Sequence, residues 1–186
     1  METCNRLTAV VAKVLEVLHL LGALAALLAL LYSVFGGQAL TSWLLQGPQE
    51  WVVYGFHIQV LREGAVDLAA FRTLCIAGLL SFLCMCMVFR NIFLILRTSE
   101  GKTWFSKGQT PFQDDVVRMV REIGIFSLFV PVLQLLISTV ARLVLGVDNV
   151  EMAVQLSGLM TGLVALCLSQ IFAYGMALQR DVDGLV

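Results

Sequence analysis

The sequence predicts an all-α integral membrane protein, an antiparallel four-transmembrane-helix bundle with a small extracytoplasmic hairpin-like loop. Three observations support this. Of 186 residues, 59% are hydrophobic and 13% charged, where soluble domains carry about 45–50% apolar and about 25% charged residues. Mean hydropathy is +0.90, so charge is too scarce to coat a water-facing surface. Four stretches reach the roughly 20 mostly apolar residues needed to cross a hydrocarbon core about 30 Å thick. They are Val14–Phe35, Arg72–Leu96, Ile123–Leu145 and Met152–Leu178. The chain, 1–186, reads as one four-span domain. A net charge of −1 lacks the basic field that nucleic-acid binding needs, so no direct contact with nucleic acid is expected.

The first span is longer than the 7–15 apolar residues of a signal peptide, and no small-x-small site follows it closely, so it is expected to be retained. Along it Gly22, Ala26, Ala29, Ser33 and Gly37 recur at helical steps. Small side chains at that spacing let helix backbones approach closely in lipid. Glu16 and His19 share the Gly22 face. A histidine near a carboxylate either serves as a proton switch around neutral pH or simply bonds a neighbouring helix, and the second reading is favoured.

The loop over 36–71 follows. Its stretch Glu50–Leu61 is rich in Val, Ile, Tyr, Trp and Phe, which suits a short strand or hairpin. Gly47-Pro48 before it and Arg62-Glu63-Gly64 after it read as turns. The expectation is a small external cap resting partly in the headgroup layer, with His57 structural or at the surface. In span two, Cys84 and Cys86 point about 200° apart on a helix of 3.6 residues per turn, so they do not converge on one metal. They are read as apolar filler.

The segment over 97–122 is a cytoplasmic elbow. Thr110-Pro111-Phe112-Gln113 has the form of a capping box, with Pro111 at the first helical position. Asp114 and Asp115 then favour the helix dipole, and Asp114, Arg118 and Glu122 are spaced as i,i+4 pairs. Val116, Val117, Val120 and Ile123 form an apolar side that lies on headgroups, docks under the bundle or binds a partner. Trp104 and Phe105 read as interfacial anchors. Trp104, Phe105, Val117, Arg118, Val120 and Arg121 are the candidate partner-binding residues.

Span three carries Ser127, Pro131, Gln134, Ser138 and Arg142 on one face. Polar side chains in hydrocarbon usually face the bundle interior or a watery cavity, and Pro131 is expected to bend the helix. With Glu16 and His19 these residues form a candidate intramembrane polar face, a ligand or ion path on one reading. The favoured reading is interhelical hydrogen bonding, with Arg142 snorkelling to the interface. The link Gly146–Glu151 is expected to be only a turn. Span four has Gly158, Gly162, Ala165, Ser169 and Ala173 at helical steps, including a GxxxG. Its seam and that of span one either face each other or form a dimer contact.

Orientation follows from Lys and Arg, which collect in cytoplasmic segments. Nine lie in the N-terminal tail, the elbow region and the C-terminal tail, against Arg62, Arg72 and Arg142 on the opposite side. Both termini are therefore expected in the cytoplasm.

The run Leu96-Arg-Thr-Ser-Glu-Gly-Lys-Thr-Trp-Phe-Ser106, followed by Val117–Gly124 (VRMVREIG), resembles a bacterial family of four-span membrane proteins of unknown function. Its members carry a central G-x-x-F-[ST] turn leading into L-R-x-I-G at the start of span three. They end in a tail of the type G-x-x-L-x-x-[DE]-x-D-L-T-V, here Gly175–Val186. Gly184 is inserted at the final Leu, no Thr precedes Val186, and Lys107–Gln109 is a local variation. The resemblance implies a bacterial plasma membrane location. It also implies a possible partner in a small Cro/repressor-like helix-turn-helix protein, often encoded beside family members. It implies no catalytic residue.

Enzyme signatures such as HExxH, GxSxG, Walker A and nucleotide fingerprints do not occur. No catalytic, cofactor-binding or metal residues are expected, and Asp181 and Asp183 read as a solvated tail. The expected function is a non-enzymatic regulatory or sensory module acting through the elbow on a small DNA-binding regulator. The alternative is a small oligomeric transporter or channel using the span-three face.

Overall fold

The computed structural model describes residues 2–35, 37–62, 64–106, 113–146, 150–151 and 155–183. Its helices are α1 (Glu2–Phe35), α2 (Gly37–Leu44), α3 (Leu68–Ser99), α4 (Asp114–Leu145) and α5 (Leu156–Asp183). All but α2 are long and apolar enough to cross a membrane. In α1 only 6% of the most apolar stretch is buried, and in α3, α4 and α5 the shares are 22%, 33% and 17%. Leu7, Leu18, Leu28 and Val34 of α1, and Leu163 and Ile171 of α5, point outward. Contiguous apolar surface on that scale is untenable in water, whereas hydrocarbon solvates it. The chain is a multi-pass membrane protein.

Helix ends follow local chemistry. Asp67 caps α3, its Oδ1 accepting from the amides of Ala69 at 2.9 Å and Ala70 at 3.0 Å, as an N-cap carboxylate does. Helix α4 begins at Asp114, and the Gln113 carbonyl accepts the Val117 amide at 3.1 Å. Gln113 thus stands at the N-cap position rather than inside the first turn. Thr110 and Pro111 of the expected capping box lie outside the described residues, as does Met152, the expected start of span four.

Contacts divide the chain into two compact units. One comprises Met1–Leu18, Cys84–Phe129 and Ser157–Val186; the other comprises His19–Leu83 and Val130–Leu156. In the first, Val116, Met119 and Val120 are buried against Leu94, Ile95, Phe105 and Phe172. In the second, a core of Leu40, Leu44, Phe56, Ile58, Val60 and Phe71, among others, gathers α2 and a small sheet.

That sheet contains strands β1 (Glu50–Val53), β2 (Phe56–Gln59) and β5 (Val150–Glu151) in the order β1-β2-β5. The hairpin expected over 50–61 is present, with Trp51 opposite Ile58 and Val53 opposite Phe56. A second small pair, β3 (Leu61–Arg62) with β4 (Ala65–Val66), closes around the expected 62–64 turn. The link after α4 is more than the turn expected. Val150 pairs with Ile58 and Glu151 with His57, adding a third strand whose two residues are too few to show a strand pattern.

Each small-residue seam packs against another helix of its own unit. At Gly22 an added Cβ would meet the Phe82 ring of α3 at 3.0 Å, and at Gly78 it would meet Ala26 at 4.0 Å. The α1 seam therefore faces α3. Ser33 of that seam accepts from Arg72, whose Nη2 donates to the Ser33 carbonyl at 2.8 Å and whose Nε reaches its hydroxyl at 3.3 Å. The α5 seam faces α4. An added Cβ at Gly162 would lie 2.5 Å from Leu128 Cγ and 2.9 Å from the Gly124 carbonyl oxygen. Further along α5, Ala165 and Ser169 are buried. A row of small residues records that a backbone comes close, not which one.

Candidate functional site

The most distinctive local structure is the tip of the β1–β2 hairpin. Tyr54 and Gly55 both have positive φ, 51° and 79°, as a two-residue hairpin turn of type I′ requires. Tyrosine is unusual at such a position, and its packing accounts for it. The ring meets Phe82 edge-on at 5.4 Å and lies 6.1 Å from His19. Gly55 leaves no room for a side chain, since a Cβ would fall 2.6 Å from Gln155.

These neighbours set the depth of the tip. His19 lies at the middle of α1, about 24 Å of helix before Phe35 at 1.5 Å per residue. Phe82 is about 21 Å into α3 from Leu68 by the same rise. A hydrocarbon core is about 30 Å thick and α1 is about 51 Å long, so whichever part of α1 lies in hydrocarbon includes His19. The hairpin tip therefore packs among the helices, beside the middle of α1. An aromatic, β-branched strand buried among helices and one lying at an interface have the same composition, so sequence pattern could not separate them.

Burial of the tip gives the polar face of span three a role. Strand backbone at membrane depth is tolerated only where protein satisfies it. Gln134, 2% exposed, donates through Nε2 to the Tyr54 carbonyl. Arg142 donates through Nε to the Val150 carbonyl at 2.8 Å, which ties the end of α4 to the link that follows it. Ser138 Oγ donates back to the Gln134 carbonyl of its own helix at 2.6 Å. Within this unit the described bonds of Gln134 and Arg142 go to hairpin and strand backbone. Gln134 Oε1 is buried without a hydrogen-bond partner. Ser127 and Pro131 are also buried. Glu16 is held by Lys13 at 2.9 Å, and its carbonyl accepts from Cys86 Sγ at 3.6 Å. His19 thus joins Gln134 through Tyr54, while Glu16 has its own partners.

The elbow is the second candidate. Helix α3 ends in a Schellman motif: the Lys102 amide donates to Arg97 O at 2.9 Å and the Gly101 amide to Thr98 O at 3.0 Å, with Gly101 at φ 71°. This is the usual left-handed glycine stop. Thr98, fully buried, then organises the chain that follows. Its hydroxyl accepts from Thr103 Oγ1 at 3.1 Å and its carbonyl from Ser106 Oγ at 3.0 Å. Sequence reading met Thr98 only as part of a resemblance. Its signal was the Gly101 stop with hydroxyls at 98, 103 and 106.

Among the expected partner-binding residues, Val117 and Val120 are buried, at 6% and 8% exposure, and Phe105 packs on the same cluster. Of the three roles open to the apolar side of α4, docking within the protein takes up these residues. Trp104 is 95% exposed and stacks edge-on with Phe105 at 5.3 Å. Arg118 and Arg121 face outward, Arg118 lying 3.5 Å from Glu122. Glu122 also accepts from Asn91 Nδ2 at 3.0 Å, and Asp114 pairs with Arg180 of α5 at 2.9 Å. No family model, curated protein or solved structure matches this chain, so the family resemblance rests on the residues of the elbow and the tail.

Proposed function

We propose that this chain is a non-enzymatic regulatory or sensory membrane protein that acts by binding a partner through its elbow. The carrying observation is the exposure of Trp104 on a segment that the Thr98 hydrogen bonds hold in place. An ordered turn that leaves one indole outside while its neighbour Phe105 docks inward has the makings of a contact anchor, since Trp and Arg dominate binding hot spots. The outward Arg118 and Arg121 on the following helix supply charge. The surface offered is thus Trp104, Arg118 and Arg121, with Phe105, Val117 and Val120 supporting it from within. In this reading both termini are cytoplasmic, the membrane is a bacterial plasma membrane, and the partner is a small helix-turn-helix regulator.

The test is a photo-crosslinker at position 104 in native membranes, compared with the same probe in an Arg118→Glu/Arg121→Glu background. Capture of a helix-turn-helix protein that charge reversal reduces is the expected result. Crosslinks to lipid or to the chain itself alone would overturn it. The transporter alternative draws on the same span-three face, but Gln134 and Arg142 already serve strand and link backbone, which favours the binding reading. Solute flux through reconstituted vesicles that Gln134→Leu abolishes would reverse that preference.

A further inference from the structure

We infer that a groove between the first half of α1 and the last turns of α3 binds an anionic phospholipid, phosphate at its rim and acyl chain along its floor. The groove has a volume of about 530 Å³, within the usual size of a ligand site. Its floor is apolar, built from Val10, Val14 and Phe93, and four cations reach its lining: Arg6, Lys13, Arg97 and Lys102. This inference does not depend on the elbow having a protein partner.

The charges are arranged, not scattered. The Phe93 ring holds the Lys13 ammonium at 5.3 Å and the Arg97 guanidinium at 5.9 Å from its centroid, an attraction of cation to ring face. One aromatic therefore keeps two like charges close together. Two carboxylates offset part of this charge. Glu16 binds Lys13 at 2.9 Å, and Glu100 binds Lys102 at 2.7 Å. The Lys102 hydrogen bond, with Arg97 and Arg6 nearby, holds the Glu100 carboxyl below its ordinary pKa. Four cations against two anions leave the groove positive, with Arg6 and Arg97 as its surplus. An acyl chain matches the floor because Val10 and Val14 are 60% and 52% exposed on a helix long and apolar enough to cross a membrane. A fully soluble anion would use the rim and leave the floor bare, and an uncharged lipid would do the reverse. An anionic phospholipid satisfies both.

The test uses the full chain in nanodiscs of equal phosphatidylglycerol and phosphatidylcholine, with co-purified lipid counted by native mass spectrometry. Wild type is expected to retain phosphatidylglycerol preferentially. In Arg6→Gln/Arg97→Gln that preference should fall by roughly fivefold per cation removed, from the usual attraction of one basic residue to an anionic surface. Arg118→Gln/Arg121→Gln, with the same change in charge outside the groove, should keep it. Val10→Trp, which fills the floor at an exposed position without altering charge, should lower retention of both lipids. Equal losses in the two arginine pairs would mean only a general surface field and would overturn the inference. Displacement of the retained lipid by inorganic phosphate, or full retention in Val10→Trp, would also overturn it, because the acyl chain would then have no part.

Discussion

Alanine at Gly162 and alanine at Gly78 should move stability in opposite directions, although both replace a glycine within a long apolar helix. At Gly162 the new methyl would sit 2.5 Å from Leu128 Cγ and 2.9 Å from the Gly124 carbonyl oxygen, where relaxed contacts lie at about 3.5–4.0 Å. Leu128 has rotamers to escape into, but the carbonyl belongs to the α4 backbone and moves only if the helices part. Overpacking of that kind costs about 1–3 kcal/mol, and the better helix propensity of alanine returns about 1 kcal/mol. Because one of the clashing atoms is backbone, the overpacking cost falls in the upper part of its range, and a net loss of about 1–2 kcal/mol is expected. At Gly78 the nearest atom would be Val53 Cγ1 at 3.5 Å, an ordinary contact, so the propensity term stands alone and a gain of up to about 1 kcal/mol follows. Reversible unfolding in mixed micelles of rising dodecyl sulfate fraction, read by tryptophan fluorescence, measures both. A Gly162→Ala protein as stable as wild type would refute the claim that α4 and α5 cross in backbone contact. A Gly78→Ala protein destabilised as much as Gly162→Ala would refute the use of these distances to tell the sites apart.

Three further outcomes are expected. Gln134→Leu removes the donor to the Tyr54 carbonyl; at about 1 kcal/mol for such a bond in lipid, amide exchange over Phe56–Gln59 should quicken relative to α1, and unchanged exchange would mean that the hairpin does not depend on this bond. Asp67→Ala loses two amide contacts at the start of α3 and should cost about 1 kcal/mol in the same micelle titration, whereas Asp67→Asn should recover most of it. Trp104→Ala should leave unfolding within about 0.5 kcal/mol of wild type, as exposed positions do, while Phe105→Ala, partly buried on the α4 cluster, should cost about 1–2 kcal/mol, part of what a fully buried ring loses; equal effects would mean that both rings are buried or both are free.

The membrane character of this chain was legible at once, and over the described residues each span fell within a helix apart from Gln155. Hydropathy is a sum over residues, and hydrocarbon thickness sets the length over which to sum, so neither needs a fold. The 50–61 hairpin was legible for a similar reason, since aromatic and β-branched residues between turn signals suit a pleated strand whatever surrounds it. The elbow was legible in part. Gly101 and the apolar side of α4 are written in the sequence, but whether Val117 and Val120 meet a partner or their own protein depends on what α3 and α5 present to them.

Only the tertiary structure decided where the hairpin sits and which helices the seams join. The same strand residues fit a headgroup layer or a protein interior, and the spacing of Gln134 and Arg142 does not name the carbonyls they bond. The choice is made by Tyr54 among His19, Phe82 and the Gln134 amide, residues far apart in the chain. By itself the sequence determined that there are four apolar helices, because transfer to lipid is a local, additive property of side chains. The partners of Gly22 and Gly162 were decided in three dimensions, because close packing is a relation between two surfaces and a seam of small residues describes only one of them.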